Sequence, residues 1–162
     1  MVQQVTTKPT PRQRENADGV YFVIHASFSK SNAVRVYGPE AEVPTWSGNH
    51  MPDEVTRELS QRMHFAAWRM SRSKDEKSKG FWKAHYLHMR DLVVMGNRKL
   101  IFRAIRRWMP PATHAEDMTS DCHIVLIQSV AAYNPWMGIR FSTYAFTCLM
   151  RALSRLSLKM QA

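Results

Sequence analysis

The residues best suited to chemistry in this chain lie near its carboxyl end, on one face of a helix predicted over 142–158. Tyr144, Cys148, Arg151 and Arg155 are separated by four, three and four residues, which places them along a single helical face. An aromatic ring followed by two guanidinium groups suits a single nucleic-acid strand, because the ring stacks on a base and the cations contact phosphates. The alternative is a packed tyrosine beside solvated arginines, and periodicity alone does not decide between them.

The other reactive side chains form no catalytic or metal-binding pattern. Cys122 and Cys148 both fall in apolar helical segments, where reduced and buried thiols are the ordinary expectation. His85 and His88 stand three residues apart, but neither an HExxH motif nor a matching cysteine cluster accompanies them. We therefore expect a protein that is not an enzyme and holds neither a metal nor a cofactor.

The distribution of charge points to a polyanionic partner. The formal net charge is +10, and no acidic residue follows Asp121. The cations of that acid-free segment are Arg140, Arg151, Arg155 and Lys159. No apolar run approaches the roughly 20 residues needed to span a bilayer, and the amino terminus lacks the apolar stretch of a signal peptide. These features favour a cytoplasmic protein whose partner is a nucleic acid rather than a membrane.

The chain divides near residue 50. Residues 1 to about 18 are polar and contain two prolines, which predicts disorder. The apolar runs "VYFVIHASF" and "VRVYG" that follow are compatible with a small hairpin or an extended arm. We thus expect a flexible arm over 1–50, irregular or disordered except for that optional hairpin, and a helical domain over 51–162.

The helical part is predicted to be an all-α bundle of about four helices. The first begins after Pro52 and carries Val55, Leu59, Met63 and Ala66 on one stripe. A second runs from about Phe81 to Trp108, where two prolines end it. The third begins at Thr113, which with Glu116 forms the pattern of a capping box, and the fourth begins at Ser142. The other helices must hold the fourth one so that its face of Tyr144, Cys148, Arg151 and Arg155 is available to a partner.

The run "RFSTYA" at 140–145, followed by an amphipathic helix, resembles the promoter-melting segment of bacterial RNA polymerase sigma factors of the sigma-70 family. The whole stretch 116–145 is similar to the family's sequence without a gap. Upstream, "NRKLIFRAIRRW" and "EVTRELSQRMHFAAWRM" resemble the preceding helices in the same order. The resemblance covers about 52–158 and implies the fold of region two. Nothing in the chain resembles the later domains that read the minus-thirty-five element.

The resemblance implies a polymerase-docking surface on the helix that includes 116–133. In the family this helix binds a coiled coil of the largest polymerase subunit, and Asp117 and Asp121 match its acidic and polar docking positions. Ser120 stands where the family usually has Gln, and His123 stands where it has Asn. Both replacements keep hydrogen-bonding capacity, so the implied polymerase-binding residues are Asp117, Ser120, Asp121 and His123.

The next helix in the family captures the non-template strand of the promoter minus-ten element, with one adenine flipped out against aromatic rings. Tyr144 matches the tyrosine that stacks at this fork, and Arg151 matches a position that contacts upstream duplex bases. Thr147 and Cys148 occupy the positions of the family's tryptophan pair, so stacking worth about 1–3 kcal/mol per base is missing. The implied DNA-binding residues are Arg140, Phe141, Thr143, Tyr144, Thr147, Cys148, Arg151 and Arg155.

Two functions follow from this resemblance. The first is a sigma-factor-like subunit of transcription initiation in the bacterial cytoplasm, which docks on core RNA polymerase and binds and melts the minus-ten element. It has no chemistry of its own, and an anti-sigma or activator protein is a further expected partner. The alternative is a truncated or decoy interaction protein that occupies core polymerase without melting the promoter, which the missing tryptophan pair favours.

Overall fold

Most of the chain from residue 13 to residue 161, the part that the computed structural model describes, is α-helical, which confirms the predicted fold class. The portion of the predicted disordered arm before residue 13 lies outside the described residues. The elements are β1 Gln13–Glu15, β2 Tyr21–Val23, α1 Ala33–Tyr37, α2 Asp53–Arg72, α3 Glu76–Gly96, α4 Lys99–Trp108, α5 Ala112–Ala132 and α6 Phe141–Gln161.

The amino-terminal arm is mostly irregular between residues 13 and 50, and it packs on α2. The two apolar runs do not pair with each other: β2, from the first run, pairs antiparallel with β1, with Gln13 opposite Val23, and β1 lies in the stretch predicted to be disordered. The run "VRVYG" contributes instead to the short helix α1. Phe22 and Phe28 are buried in the same core as the helices, so the arm adds packed apolar surface to the bundle. The domain boundary near residue 50 stays a prediction.

Helix α2 lies at the centre of the molecule. Its predicted stripe of Val55, Leu59, Met63 and Ala66 is buried, as expected. The adjoining side is also covered, because the arm packs there. Arg62 on that side is only 3% exposed and donates hydrogen bonds to the carbonyl oxygens of Ala41 and Glu42. No helix among residues 13–161 is long and apolar enough to cross a membrane.

The predicted second helix over 81–108 is wrong, because the chain breaks at Asn97 into α3 and α4. The Asn97 side-chain amide donates to the carbonyl of Val93 at 2.8 Å and to the hydroxyl of Thr56 on α2 at 3.1 Å. The backbone N–H of Met51 donates to the carbonyl of Gly96 at 2.8 Å. A Cβ at residue 96 would lie 2.7 Å from a Met51 atom, so glycine permits this close approach.

The starts of the last two helices also differ from prediction. Helix α5 begins at Ala112 with Pro111 in the N-cap position and no side-chain cap, so Thr113 lies inside the first turn and the capping box is not formed. The fixed φ of Pro111 (−53°) accounts for this earlier start. Helix α6 begins at Phe141, and the N–H of Tyr144 donates to the Arg140 carbonyl at 3.2 Å. Ser142 is therefore within the helix rather than at its cap.

Replacing buried side chains of α4 with Ala should measure how much this helix contributes to the stability of the bundle. Ile101 is 0% exposed, whereas Ile105 is only half-buried, and α4 packs on both α5 and α6. We expect Ile101→Ala to lower the free energy of unfolding by about 2–5 kcal/mol, and Ile105→Ala to cost less. Urea denaturation measures both values. The exposed Met95→Ala is the control, with an expected loss under about 0.5 kcal/mol, and an equal loss in all three variants would contradict this packing.

Candidate nucleic-acid interface and docking surface

Tyr144 lies at the edge of the solvent face of α6, half-buried against other aromatic rings. Its ring centroid is 5.9 Å from that of Tyr133, with the planes at 34°. Burial, followed by the neighbouring Cys148, raises the pKa of Tyr144 to about 12, and the positive charge of Arg151 opposes the shift. The phenol is therefore neutral at physiological pH, and the ring is held in position on a packed support.

The solvent face of α6 is the one that the spacing predicts. Cys148 is half-buried beside Tyr144. The Thr147 hydroxyl donates to the carbonyl of Thr143 in its own helix at 3.0 Å. The predicted DNA-binding side chains of α6 that are exposed are Thr143, Thr147, Arg151 and Arg155. The helix therefore presents two cations to solvent beside a supported aromatic ring.

Phe141 and Arg140 occupy different environments at the start of α6. Phe141 is 1% exposed and packs edge-on against Tyr133, with ring centroids 5.2 Å apart, so it anchors the helix and offers no surface to a base in this conformation. Arg140 is well exposed, and its Nε lies 3.4 Å from the carboxylate of Asp53 at the start of α2. An exposed pair of this kind contributes little to stability, so Arg140 remains accessible to a phosphate.

Tyr133 is a supporting residue that sequence reasoning missed. Its hydroxyl donates to the carbonyl of Ile139 at 2.5 Å, which closes the turn between α5 and α6. Burial raises the pKa of Tyr133, while the charge of Arg57 on α2 and a hydrogen bond from it oppose the shift. Because the same ring contacts Phe141 and Tyr144, Tyr133 positions the predicted DNA-binding face. An aromatic residue directly before an Asn-Pro turn was the available signal.

The turn before α6 is also held by the amino-terminal arm. The indole of Trp136 stacks on the imidazole of His25, with ring centroids 4.6 Å apart and planes at 4°. Phe28 packs edge-on against the same indole at 5.4 Å. These contacts join residues more than a hundred positions apart, so no local pattern in the sequence indicated them. The arm thereby restrains the segment that leads into "RFSTYA".

The predicted docking residues on α5 lie on its outer side. Asp117 and Ser120 are exposed, whereas Asp121 and His123 are half-buried. His123 Nδ1 donates to the carbonyl of Thr119 at 3.0 Å, so its ring is partly engaged within its own helix. Two apolar side chains of α5, Ile124 and Ile127, are exposed as well. The surface that α5 offers thus combines carboxylates with apolar area, which suits a basic partner with apolar side chains.

The histidine and cysteine side chains do not converge. His85 is buried and donates from Nε2 to the carbonyl of Tyr37 at 2.9 Å, whereas His88 on the same helix is exposed. Cys122 is fully buried, and burial, with a smaller effect of Asp121, raises its thiol pKa to about 11. Among residues 13–161 no three His, Cys, Asp or Glu side chains are grouped as a metal site requires.

Comparison with known families matches the carboxyl-terminal part of the chain. The model of the family described as Sigma-70 region 2 matches residues 93–159, from the end of α3 through α4 and α5 to near the end of α6. Neither the curated proteins nor the solved structures contain a match to the chain. The matched range includes both the outer side of α5 and the solvent face of α6.

Proposed function

From the match of residues 93–159 to sigma-70 region 2, we propose that the protein docks on core RNA polymerase through α5 and holds promoter DNA on α6. The domain supports a sigma-factor-like role in transcription initiation, and its family associates with core polymerase and promoter DNA. More specifically, α5 binds the coiled coil of the largest polymerase subunit, and α6 binds the non-template strand of the minus-ten element. The proposal implies a bacterial cytoplasm, with an anti-sigma or activator protein as a further partner.

The docking proposal rests on the outer side of α5. Asp117 and Ser120 project into solvent on consecutive turns, and Asp121 lies beside them. Exposed Ile124 and Ile127 supply apolar area that a partner would bury. Carboxylates at the edge of such a patch favour a positively charged coiled coil and raise the rate of its association. His123 contributes from the side, because its ring also bonds within α5.

The observation that carries the DNA proposal is the rigid placement of Tyr144 beside Arg151 and Arg155. Packing on Tyr133 holds the Tyr144 ring in place, so little conformational entropy is lost when a base stacks on it. Arg151 and Arg155 extend from the same helix into solvent and are placed to contact successive phosphates. The sequence from residue 122 onward contains no acidic residue, so the only charged side chains that α6 contributes to this face are cations.

Thr147 and Cys148, at the positions of the family's tryptophan pair, favour the decoy alternative. Thr147 is exposed but bonds back to the Thr143 carbonyl, and Cys148 is half-buried against Tyr144. Neither side chain provides an aromatic surface that would hold a base pair open. Promoter melting by this domain would then depend on an activator. A pull-down with core polymerase followed by footprinting on forked minus-ten DNA separates the two functions, since the decoy binds polymerase without protecting DNA.

Substitutions on α6 should weaken DNA binding in two distinguishable ways. Tyr144→Ala removes a stacking platform and should cost about 1–3 kcal/mol of binding to forked DNA, with little dependence on salt. Arg151→Ala and Arg155→Ala should each weaken binding and flatten the slope of log affinity against log salt, by about 0.7 per lost phosphate contact on a single strand. Fluorescence anisotropy with labelled forked oligonucleotides and core polymerase, at several salt concentrations, measures both effects.

The control for this series is Lys77→Ala, which removes an exposed cation from the start of α3. It should leave the affinity and the salt slope unchanged. A contact from Arg151 to a base edge would leave the slope nearly unaltered and relax sequence preference instead. If the three α6 variants all bind as the parent does, the face is a solvated helix surface and the DNA is not held on α6.

A further inference from the structure

A groove between α5 and α6 is open to solvent and lined mainly by apolar side chains. Its walls carry Ile124 and Leu158, whose side chains are 56% and 66% exposed. Deeper in the groove lie the half-buried Val125 and Leu156 and the buried Ala152. The groove holds about 670 Å³, within the range of pockets that accept a whole small ligand, so several side chains of a partner fit into it. Exposed apolar residues grouped in this way mark an interaction surface.

Opposite charges lie on the two helices that form this groove. On α5, Asp117 and Asp121 are one turn apart and are named here the acidic doublet. On α6, Arg155 and Lys159 are also one turn apart and are named the basic doublet. Asp121 and both cations line the groove itself. The ion pairs found among residues 13–161 include none of these four side chains, so both doublets are available to a partner.

The two helices together form a self-complementary surface. Each doublet extends about 6 Å along its helix, at about 1.5 Å per residue, so the charges of one doublet match the spacing of the other. Asp121 lines the same groove as Arg155 and Lys159, so the acid and the cations lie at the same height along the two helices. A two-fold axis parallel to these helices sets α5 of each copy over α6 of the other at that height. The acidic doublet of each copy then faces the basic doublet of the other.

We propose that the face formed by α5 and α6 binds a second copy of this chain in a two-fold dimer. The outer side of α5 suits a basic partner with apolar side chains, and α6 offers that chemistry in the basic doublet and Leu158. Ile124 and Leu158 of each copy enter the groove of the other, because a two-fold interface buries the same groove twice. The net charge of +10 on each copy opposes association, so the dissociation constant is in the micromolar range.

Dimerisation of this kind controls access to α5. The second copy covers Asp117, Asp121 and Ile124, which also belong to the proposed polymerase-docking surface. A dimer is therefore a form that excludes core polymerase from α5, and dilution releases the monomer that can dock. This consequence rests on the proposed function, whereas dimerisation itself does not.

The test is sedimentation velocity of the full chain over about 1–200 µM, without polymerase or DNA. It compares the parent with two charge-reversed variants, each checked for its helical circular dichroism. The reversed-α5 variant carries Asp117→Arg and Asp121→Arg, and the reversed-α6 variant carries Arg155→Glu and Lys159→Glu. A third sample is an equimolar mixture of the two variants.

The parent should change from monomer to dimer as its concentration rises. Each reversed variant alone should associate more than about tenfold more weakly, since like charges then face each other across the two-fold axis. The mixture should dimerise as the parent does, because α5 of each variant then meets an oppositely charged α6 at both contacts. Recovery in the mixture requires that the two doublets meet between copies, and neither altered net charge nor poor folding produces it.

Matched controls carry the same changes of charge at exposed positions outside this face, Glu40→Arg with Asp91→Arg and Lys77→Glu with Lys83→Glu. Both controls should dimerise as the parent does. Leu158→Gln removes an apolar contact without altering the charge, and it should weaken the dimer by about tenfold or more. Thermal melting of its monomer should stay parental, because the Leu158 side chain is exposed.

A parent that stays monomeric over the whole concentration range would overturn the proposal. A dimer that persists in both reversed variants would overturn it too, as would a mixture that stays monomeric while the parent dimerises, because the contact would then use another face. Species that grow beyond a dimer would exclude a closed two-fold arrangement. Because the assay contains no polymerase and no DNA, each of these results leaves the proposed function standing, and failure of docking on polymerase leaves the sedimentation result interpretable.

Discussion

A double variant carrying Asp117→Arg and Asp121→Arg is expected to lose its association with core RNA polymerase while keeping its helical circular dichroism. Asp117 is exposed and Asp121 is half-buried on the outer side of α5, so the substitutions disturb the surface and not the core. Each reversal replaces attraction to a basic partner with repulsion, at a cost of several kcal/mol where the contact is desolvated. Two reversals should weaken binding more than about a hundredfold, which gel filtration with core polymerase detects.

The matched control carries Glu40→Arg and Asp91→Arg, which alter the net charge by the same amount at exposed positions outside α5. This control should co-elute with core polymerase as the parent does. Loss of binding in both variants would show a nonspecific effect of charge. Retention of binding in the α5 variant would show that the docking surface lies elsewhere on the protein.

His64→Ala is expected to bring the protein close to unfolding, with a loss of about 4–6 kcal/mol in the free energy of unfolding. His64 is 1% exposed and joins three segments of the fold. The N–H of Val23 on β2 donates to Nδ1 at 3.1 Å, and Nε2 donates to the carbonyl of Tyr133 at 2.7 Å. The substitution opens a cavity and leaves both backbone groups buried without partners. Urea denaturation measures the loss.

The control for this variant is His88→Ala, since His88 is exposed on α3 and its removal should cost less than about 0.5 kcal/mol. Unfolding free energies that agree between the two variants would contradict the bridging role of His64. A loss of DNA binding by His64→Ala under conditions where it remains folded is also expected, because the carbonyl that it binds belongs to Tyr133 at the entrance to α6.

The burial of His64 determines its protonation state, and the pH dependence of stability reports on that state. Burial lowers the pKa of His64 from 6.5 to about 4, against the opposing effect of the Tyr133 carbonyl. The unfolded chain binds this proton first as the pH falls, so stability is complete above about pH 6.5 and decreases by about 3 kcal/mol towards pH 4. His85 acts in the same direction, since burial lowers its pKa as well.

The sequence by itself determined the class of the fold and the face of α6. Helical periodicity is a local property, and it correctly assigned Ala145, Leu149 and Leu153 to the core while placing Arg151 in solvent. The "RFSTYA" resemblance predicted the family that residues 93–159 match. Both signals depend on residues close together in the chain, so the sequence alone is enough to predict them.

Only the tertiary structure decided where the long helix breaks and what supports α6. The end of α3 depends on contacts from Thr56 and Met51, more than forty residues away, and periodicity continued through it because the apolar pattern of α4 stays in phase. The buried second face of α2 and the pairing of Trp136 with His25 likewise depend on where the arm packs. Such contacts form because burial is a property of the whole assembly of elements, and no single segment encodes its neighbours.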